Sequence, residues 1–232
     1  MKRMGVLGGM SAQATMDFEA RVHEASQRLV PQQWNGGYPP MVVWFHRRLP
    51  VRLGEDDRPI VPMELDPQLL EAAAWLAGVS DFLVVPCNTA HIGLRELTKA
   101  AGCPVLSMID VTVDEVVRRG WKRVGVLGFN GPPPFYLDPL RQREIHCETI
   151  DARSQAPLDA AIRAVMEGRD GPVETAGALA AVAALRAAAL DGIVLGCTEI
   201  PLLMREARKA VDLIDPAALL AEAAVRFALA AG

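Results

Sequence analysis

Hydrophobic residues along this chain fall into two rhythms. Short continuous apolar runs, such as Phe82-Leu83-Val84-Val85 and Ile193-Val194-Leu195, alternate with longer stretches where apolar residues recur at helical spacing. Continuous runs mark strands buried on both faces, and their alternation with helical segments is the pattern of βαβ units around a parallel sheet. The pattern predicts strands near 3–7, 41–45, 81–86 and 104–109, with helices near 12–29, 66–78, 91–101 and 111–119. The second half reads as strands near 123–127, 145–149, 192–196 and 211–214, and helices near 157–167, 173–189, 200–209 and 216–231. Asp66-Pro67 and Asp215-Pro216 each place a capping residue before a proline at the first helical position.

The two halves repeat one another. Lys2-Arg3-Met4-Gly5-Val6-Leu7-Gly8-Gly9 recurs as Lys122-Arg123-Val124-Gly125-Val126-Leu127-Gly128-Phe129, a displacement of 120 from residue 2 to residue 122. Pro86-Cys87-Asn88-Thr89 is matched by Gly196-Cys197-Thr198-Glu199, displaced by 110 from Cys87 to Cys197. Ile109-Asp110 returns as Ile214-Asp215, displaced by 105. Three matches in one order imply a duplicated α/β half with small deletions in the second copy. The expected lobes are residues 1–105 plus 210–232, carrying Cys87, and residues 106–209, carrying Cys197.

Bulk properties narrow the function. The 232 residues are 51% hydrophobic and 22% charged, as in ordinary globular proteins. A net charge of −4 without a dense Lys/Arg run argues against nucleic acid as a partner. The longest apolar stretch, around 176–190, is Ala-rich and carries Arg186, so it reads as a packed helix and no membrane partner is expected. The start runs straight into a strand without a signal-peptide pattern, which makes a cytoplasmic protein the expectation. Four cysteines (87, 103, 147, 197) without a C-x-x-C, and four scattered histidines (23, 46, 91, 146), suggest reduced thiols and no metal site. Cys103 and Cys147 read as structural.

Chemistry concentrates where strands turn into helices, because a helix start offers unpaired N–H groups and partial positive charge. Cys87 and Cys197 occupy matched junctions of this kind. If the halves are related by a pseudo-twofold axis with a cleft between them, the two thiols flank one small ligand. Two acid/base groups on opposite faces of a carbon suit a proton exchange that inverts a stereocentre. The developing negative charge needs donors, which Asn88, Thr89 and Thr198 can supply with the junction N–H groups. Asn88, Thr89 and Thr198 can equally cap the helices they precede. Glu199 suits a helix start whatever its function. Gly8-Gly9-Met10-Ser11 ends the first strand and opens a helix. Met10 and Ser11 are candidates to cradle a carboxylate, although a plain N-cap explains Ser11 as well. No G-x-G-x-x-G is present, so no dinucleotide cofactor is invoked. Between 46 and 63 lies a long loop rich in proline and charge, which suits a lid or binding loop. Its counterpart, Asn130-Gly131-Pro132-Pro133-Pro134, reads as a stiff bend.

Together these residues resemble the aspartate/glutamate racemases that work without pyridoxal phosphate, most closely the aspartate racemase branch. Gly8-Gly9-Met10-Ser11 with Thr15, Pro86-Cys87-Asn88-Thr89-Ala90-His91, Gly196-Cys197-Thr198-Glu199-Ile200-Pro201 and Ile214-Asp215-Pro216 carry the likeness over essentially the whole chain. The resemblance implies two flavodoxin-like lobes with an active site in the cleft between them. It also implies no cofactor, Cys87 and Cys197 as acid/base residues, a small carboxylate substrate and a homodimer. It adds Ala90 to the substrate-contacting turn. In Leu49-Pro50-Val51-Arg52 it nominates Arg52, over Arg47 or Arg48, for the substrate carboxylate. Two departures stand out. Met166 in Val165-Met166-Glu167-Gly168 occupies the place of an expected carboxylate-binding lysine, and Phe129-Asn130-Gly131 replaces an expected Thr/Ser-rich loop. The expectation is an amino-acid racemase. The rivals are a maleate-isomerase-like or decarboxylase-like enzyme on a small dicarboxylate, and a relative that binds without turnover.

Overall fold

A computed structural model describes residues 1–34, 36–55 and 59–230. The Asp56-Asp57-Arg58 part of the charged loop lies outside the described residues. The chain divides into two compact units, Met1–Met108 with Ala217–Gly232, and Ile109–Pro216. No helix among the described residues is long and apolar enough to cross a membrane.

The first unit runs β1 (Met4–Gly8), α1 (Ala12–Leu29), β2 (Met41–Phe45), α2 (Pro67–Ala77), β3 (Phe82–Val84), a 3-10 turn (Thr89–Gly93), α3 (Leu94–Ala101) and β4 (Val105–Leu106). The second runs α4 (Met108–Arg118), β5 (Arg123–Leu127), α5 (Pro134–Gln142), β6 (His146–Glu148), α6 (Ala152–Met166), α7 (Pro172–Arg186), β7 (Gly192–Leu195), α8 (Glu199–Met204) and β8 (Leu213–Ile214), before α9 (Pro216–Leu229) returns to the first. Both units hold a four-stranded parallel sheet, ordered β2-β1-β3-β4 and β6-β5-β7-β8. The repeat in the sequence is therefore a repeat in topology, and it extends to register. Met4 pairs with Phe82 across β1 and β3, and the residues displaced by 120 and 110, Val124 and Gly192, pair across β5 and β7.

A matched clamp sets that register. Asp81, just before β3, accepts the Arg3 N–H at 2.6 Å, and the Arg3 side chain returns a bond at 2.9 Å. This holds the Asp81 carboxyl down at about 2. Asp191, just before β7, accepts the N–H groups of Lys122 and Arg123 at 2.6 and 2.8 Å. Each aspartate grips the amino end of its sheet, opposite the edge that bears the cysteines.

The expected elements are all present, with shifted ends. α6 begins at Ala152 because Asp151 caps it through the Ser154 N–H at 2.8 Å, and the helix continues through Pro157. The proline bend at 132–134 instead starts α5, a helix that alternation did not reveal, with Pro134 at its first position. The helices expected over 91–101 and 200–209 each break into an α-helix and a 3-10 turn. Leu213–Ile214 pairs with β7, so residues 210–216 sit in the second unit and not with the first as expected. Trp34 is 95% exposed.

Gly9 fixes the geometry of the first chemical loop. Its φ is +82°, and a Cβ there would lie 2.4 Å from the Phe45 Cα and 2.5 Å from the His46 nitrogen, so β2 passes directly against it. Gly9→Ala is expected to lose about 3 kcal/mol of stability from backbone strain and clash, read as a lowered urea midpoint. An unchanged midpoint would mean that the loop relaxes without cost.

Candidate active site

Parallel pairing brings the carboxyl ends of β1, β2 and β3 to one edge of the first sheet. There the Gly9 N–H donates to Thr15 Oγ1 at 2.8 Å, and Thr15 donates to the Ser11 carbonyl at 2.8 Å. Ser11 Oγ caps α1 through the Ala14 N–H at 3.4 Å. The capping role of Ser11 is therefore realised, and Thr15, 1% exposed, is the pin that closes the loop. Met10 is half-buried beside it.

Cys87 is partly exposed on the turn after β3. Asn88, 5% exposed, makes no side-chain bond into the 3-10 turn that it opens, so capping does not account for it. Thr89 is half-buried, and Ala90 is fully buried, backbone included. His91 has a defined job. Its Nε2 accepts the Met108 N–H at 3.0 Å, so its Nδ1 carries the proton and donates to the Cys87 carbonyl at 2.9 Å. A neutral His91 thus fixes the Cys87 backbone.

The second sheet presents Cys197 at the matching edge, 8% exposed. The Gly196 N–H donates to the Leu127 carbonyl at 2.7 Å and ties the cysteine turn to the end of β5. The Cys197 thiol donates to Glu199 Oε2 at 2.9 Å, and Thr198 Oγ1 donates to the same oxygen at 3.2 Å. Glu199 is 2% exposed. Its carboxylate lies against the sulfur, a contact that the helix-start reading did not foresee. The residue two after Cys87 is Thr89, so the two thiols sit in chemically different settings.

The loop after β5 is held from inside. Asp159 accepts the Asn130 N–H at 2.8 Å and the Gln155 amide at 2.7 Å, while Gln155 also reaches the Gly128 carbonyl at 2.9 Å. Met166 is 40% exposed at the end of α6.

The long loop of the first unit folds back through bridges of Val51 with Leu65 and Leu53 with Pro59. With the start of α2 it walls a cavity of about 570 Å³. Arg48, Arg52 and Asp66 contribute polar walls, and Leu49, Val51 and Leu53 contribute apolar ones. Both arginines already hold carboxylates, Arg52 with Glu64 at 2.7 Å and Arg48 with Asp66 at 3.1 Å. A ligand carboxylate at Arg52 either shares the guanidinium with Glu64 or displaces it. Arg47 lies 4.6 Å over the Phe45 ring.

His46 was overlooked by sequence reasoning because a lone histidine after a strand carries no signal. It is buried at the end of β2, its N–H donates to the Gly8 carbonyl at 2.8 Å, and its Nε2 is sealed without a partner among the described residues. Burial pushes its pKa below the usual 6.5, with Asp66 pulling upward and Arg48 adding to the depression. Among the described residues no group of three or more His, Cys, Asp or Glu is arranged to hold a metal ion.

Comparison with known proteins agrees with this architecture. A family model described as Asp/Glu/Hydantoin racemase matches residues 7–224. The chain belongs to that family. It is similar to the broad specificity amino-acid racemase RacX of Bacillus subtilis (strain 168), 29% identical over 154 residues, which are 66% of this chain and 62% of that protein's length. In fold it is similar to the aspartate racemase of Picrophilus torridus, with a TM-score of 0.75, 22% identity and coverage of 98% and 94% of the two chains. An aspartate racemase homologue from Pyrococcus horikoshii OT3 gives a TM-score of 0.73 at 20% identity, with 98% and 99% covered.

The depressed pKa of His46 has a consequence for stability. The unfolded chain takes up a proton near pH 6.5 that the folded chain resists, so stability is present above that value and is lost as pH falls through it. Urea unfolding between about pH 7.5 and about pH 5.5 is expected to show a steeper loss in the parent than in His46→Gln. Parallel pH dependence in the two proteins would remove His46 as the cause.

Proposed function

We propose that this protein is a cofactor-independent amino-acid racemase of the aspartate/glutamate type, using Cys87 and Cys197 as the two acid/base groups. One observation carries the reading. In a chain that belongs to this family over 7–224, two cysteine turns follow equivalent strands of two identically ordered sheets. The homodimer and the cytoplasmic location expected from the resemblance belong to this proposal.

The reaction requires the two thiols to reach opposite faces of one α-carbon. In one direction a Cys87 thiolate removes the α-proton, and the Cys197 thiol delivers its own to the other face of the planar carbanion. In the reverse direction Cys197 must first lose its proton, and Glu199 is the acceptor already in contact with it. Cys197 then removes the α-proton while Cys87 donates. Exchange with solvent restores both groups after turnover. Donors on the two turns, among them Thr89 and the Asn88 amide, oppose the charge that develops on the substrate carboxylate.

The first test is incubation of the purified protein with each common amino acid, L and D separately, in deuterated water without pyridoxal phosphate. Loss of the α-proton by NMR and inversion by chiral chromatography are expected, and inversion should vanish in Cys87→Ala and Cys197→Ala. Exchange without inversion would leave one working thiol. No exchange with any amino acid sinks the racemase reading and turns attention to small dicarboxylates or to binding without turnover.

Glu199→Gln keeps the size and hydrogen-bonding capacity of the side chain and removes its ability to take a proton. Racemisation is expected to fall by about 10²- to 10⁴-fold, with kcat/KM lowered by the same factor from L and from D because the enantiomers are equal in energy. Initial rates from L and D substrates, measured separately, read this loss. Equal rates in parent and variant would make Glu199 a spectator.

A further inference from the structure

The loop after β5 carries the pair Asn130-Gly131. Asn130 is exposed at a φ of +56°, and Gly131 follows at +107°. Asparagine tolerates the first of these left-handed conformations, and glycine suits the second. A Cβ at Gly131 would meet nothing within 4 Å, so the peptide between the two residues lies in open space. The loop's bonds go elsewhere. Asp159 holds the Asn130 N–H at 2.8 Å, while among the described residues neither the Asn130 side-chain amide nor the Gly131 N–H has a hydrogen-bond partner.

A free amide beside an unshielded backbone nitrogen is the arrangement in which asparagine, a thermolabile side chain, reacts with its own main chain. The Gly131 nitrogen gives its proton to solvent hydroxide and attacks the Asn130 side-chain carbonyl carbon. The new C–N bond closes a five-membered succinimide, the bond to the amide nitrogen breaks, and ammonia leaves with a proton taken from water. Water then opens the ring. Attack at the side-chain carbonyl leaves aspartate at position 130, and attack at the main-chain carbonyl leaves isoaspartate, with the chain routed through the former side chain. Water is the one co-reactant. Asn88, the other described asparagine, is 5% exposed and precedes the β-branched Thr89, so it lacks both access and freedom.

We propose that Asn130 is a spontaneous deamidation site of the folded protein, and that its conversion loosens the turn bearing Cys197. The loop and that turn are one packed layer. A Cβ at Gly196 would lie 3.2 Å from Pro133 Cγ, and one at Gly128 would lie 2.6 Å from the Gly131 carbonyl oxygen. Isoaspartate lengthens the main chain by one methylene inside this layer. Either product also adds a carboxylate to the residue whose N–H the buried Asp159 carboxylate already holds, which sets like charges close together.

The test ages the folded Asn35→Ser variant, in which 130–131 is the remaining Asn-Gly pair, in mildly alkaline buffer made with heavy-oxygen water. Peptide mapping is expected to find solvent oxygen incorporated at position 130, as isoaspartate and aspartate together, and none at Asn88. Alkylation of Cys197 by iodoacetamide, read on its peptide, should run several-fold faster in the aged protein than in the fresh one. Adding Asn130→Gly, which keeps the N–H held by Asp159 and suits the backbone there, should abolish that change. Conversion confined to protein unfolded in urea, or aspartate without isoaspartate, overturns the site. Conversion with Cys197 alkylation unchanged overturns its effect on the turn. Neither readout depends on turnover, so a protein that racemises nothing still upholds the proposal while removing the racemase reading.

Discussion

Parallel strand pairing is the constraint on which everything else in this protein depends. When β1 and β3 run the same way, as do β5 and β7, every carboxyl end must emerge at one edge of its sheet. That edge receives the Gly8-Gly9 loop and the Cys87 turn in one unit, and the Phe129 loop and the Cys197 turn in the other. Parallel strands also oblige the chain to cross back through a helix, which is why each cysteine turn is followed by a short helical segment. Strand direction, and not any single side chain, gathers the chemical groups.

The two copies have kept this frame and diverged upon it. Their aspartate clamps, strand order and register coincide, while the chemical edges differ at nearly every polar position. His91 steadies the Cys87 backbone through its carbonyl, whereas Glu199 meets the Cys197 sulfur directly. The first loop closes on Thr15, a hydroxyl four residues into its own helix, and the second closes on Asp159, borrowed from a distant one. A duplicated scaffold has thus become a pair of unlike tools.

Much of this was legible in the residues alone. Apolar runs gave the strands because both sheet faces are covered, and the displaced cysteine motifs gave the repeat because junction chemistry is local in sequence. What escaped was tertiary. Glu199 two residues after Cys197 reads as an ordinary helix start, and only the turn's curvature brings its carboxylate to the sulfur. Arg163 and Phe129 are 34 positions apart, so nothing in either segment announces that they meet. Arg52 carried a motif, yet its ion pair with Glu64 depends on the loop folding back on itself. The helix α5 was hidden because three consecutive prolines signal a bend more strongly than a beginning.

The split of the first unit has a consequence for how the protein is made. One of its apolar clusters joins Met4, Phe18 and Phe82 to Leu220, Ala224 and Val225, so strands synthesised early lack part of their covering until α9 emerges. The second unit, Ile109–Pro216, is continuous and contains its own sheet and core. On a ribosome the domain whose synthesis starts second can therefore finish folding first, while the earlier strands wait with an apolar face uncovered. For that interval the nascent chain carries an apolar face that only the docking of α9 closes.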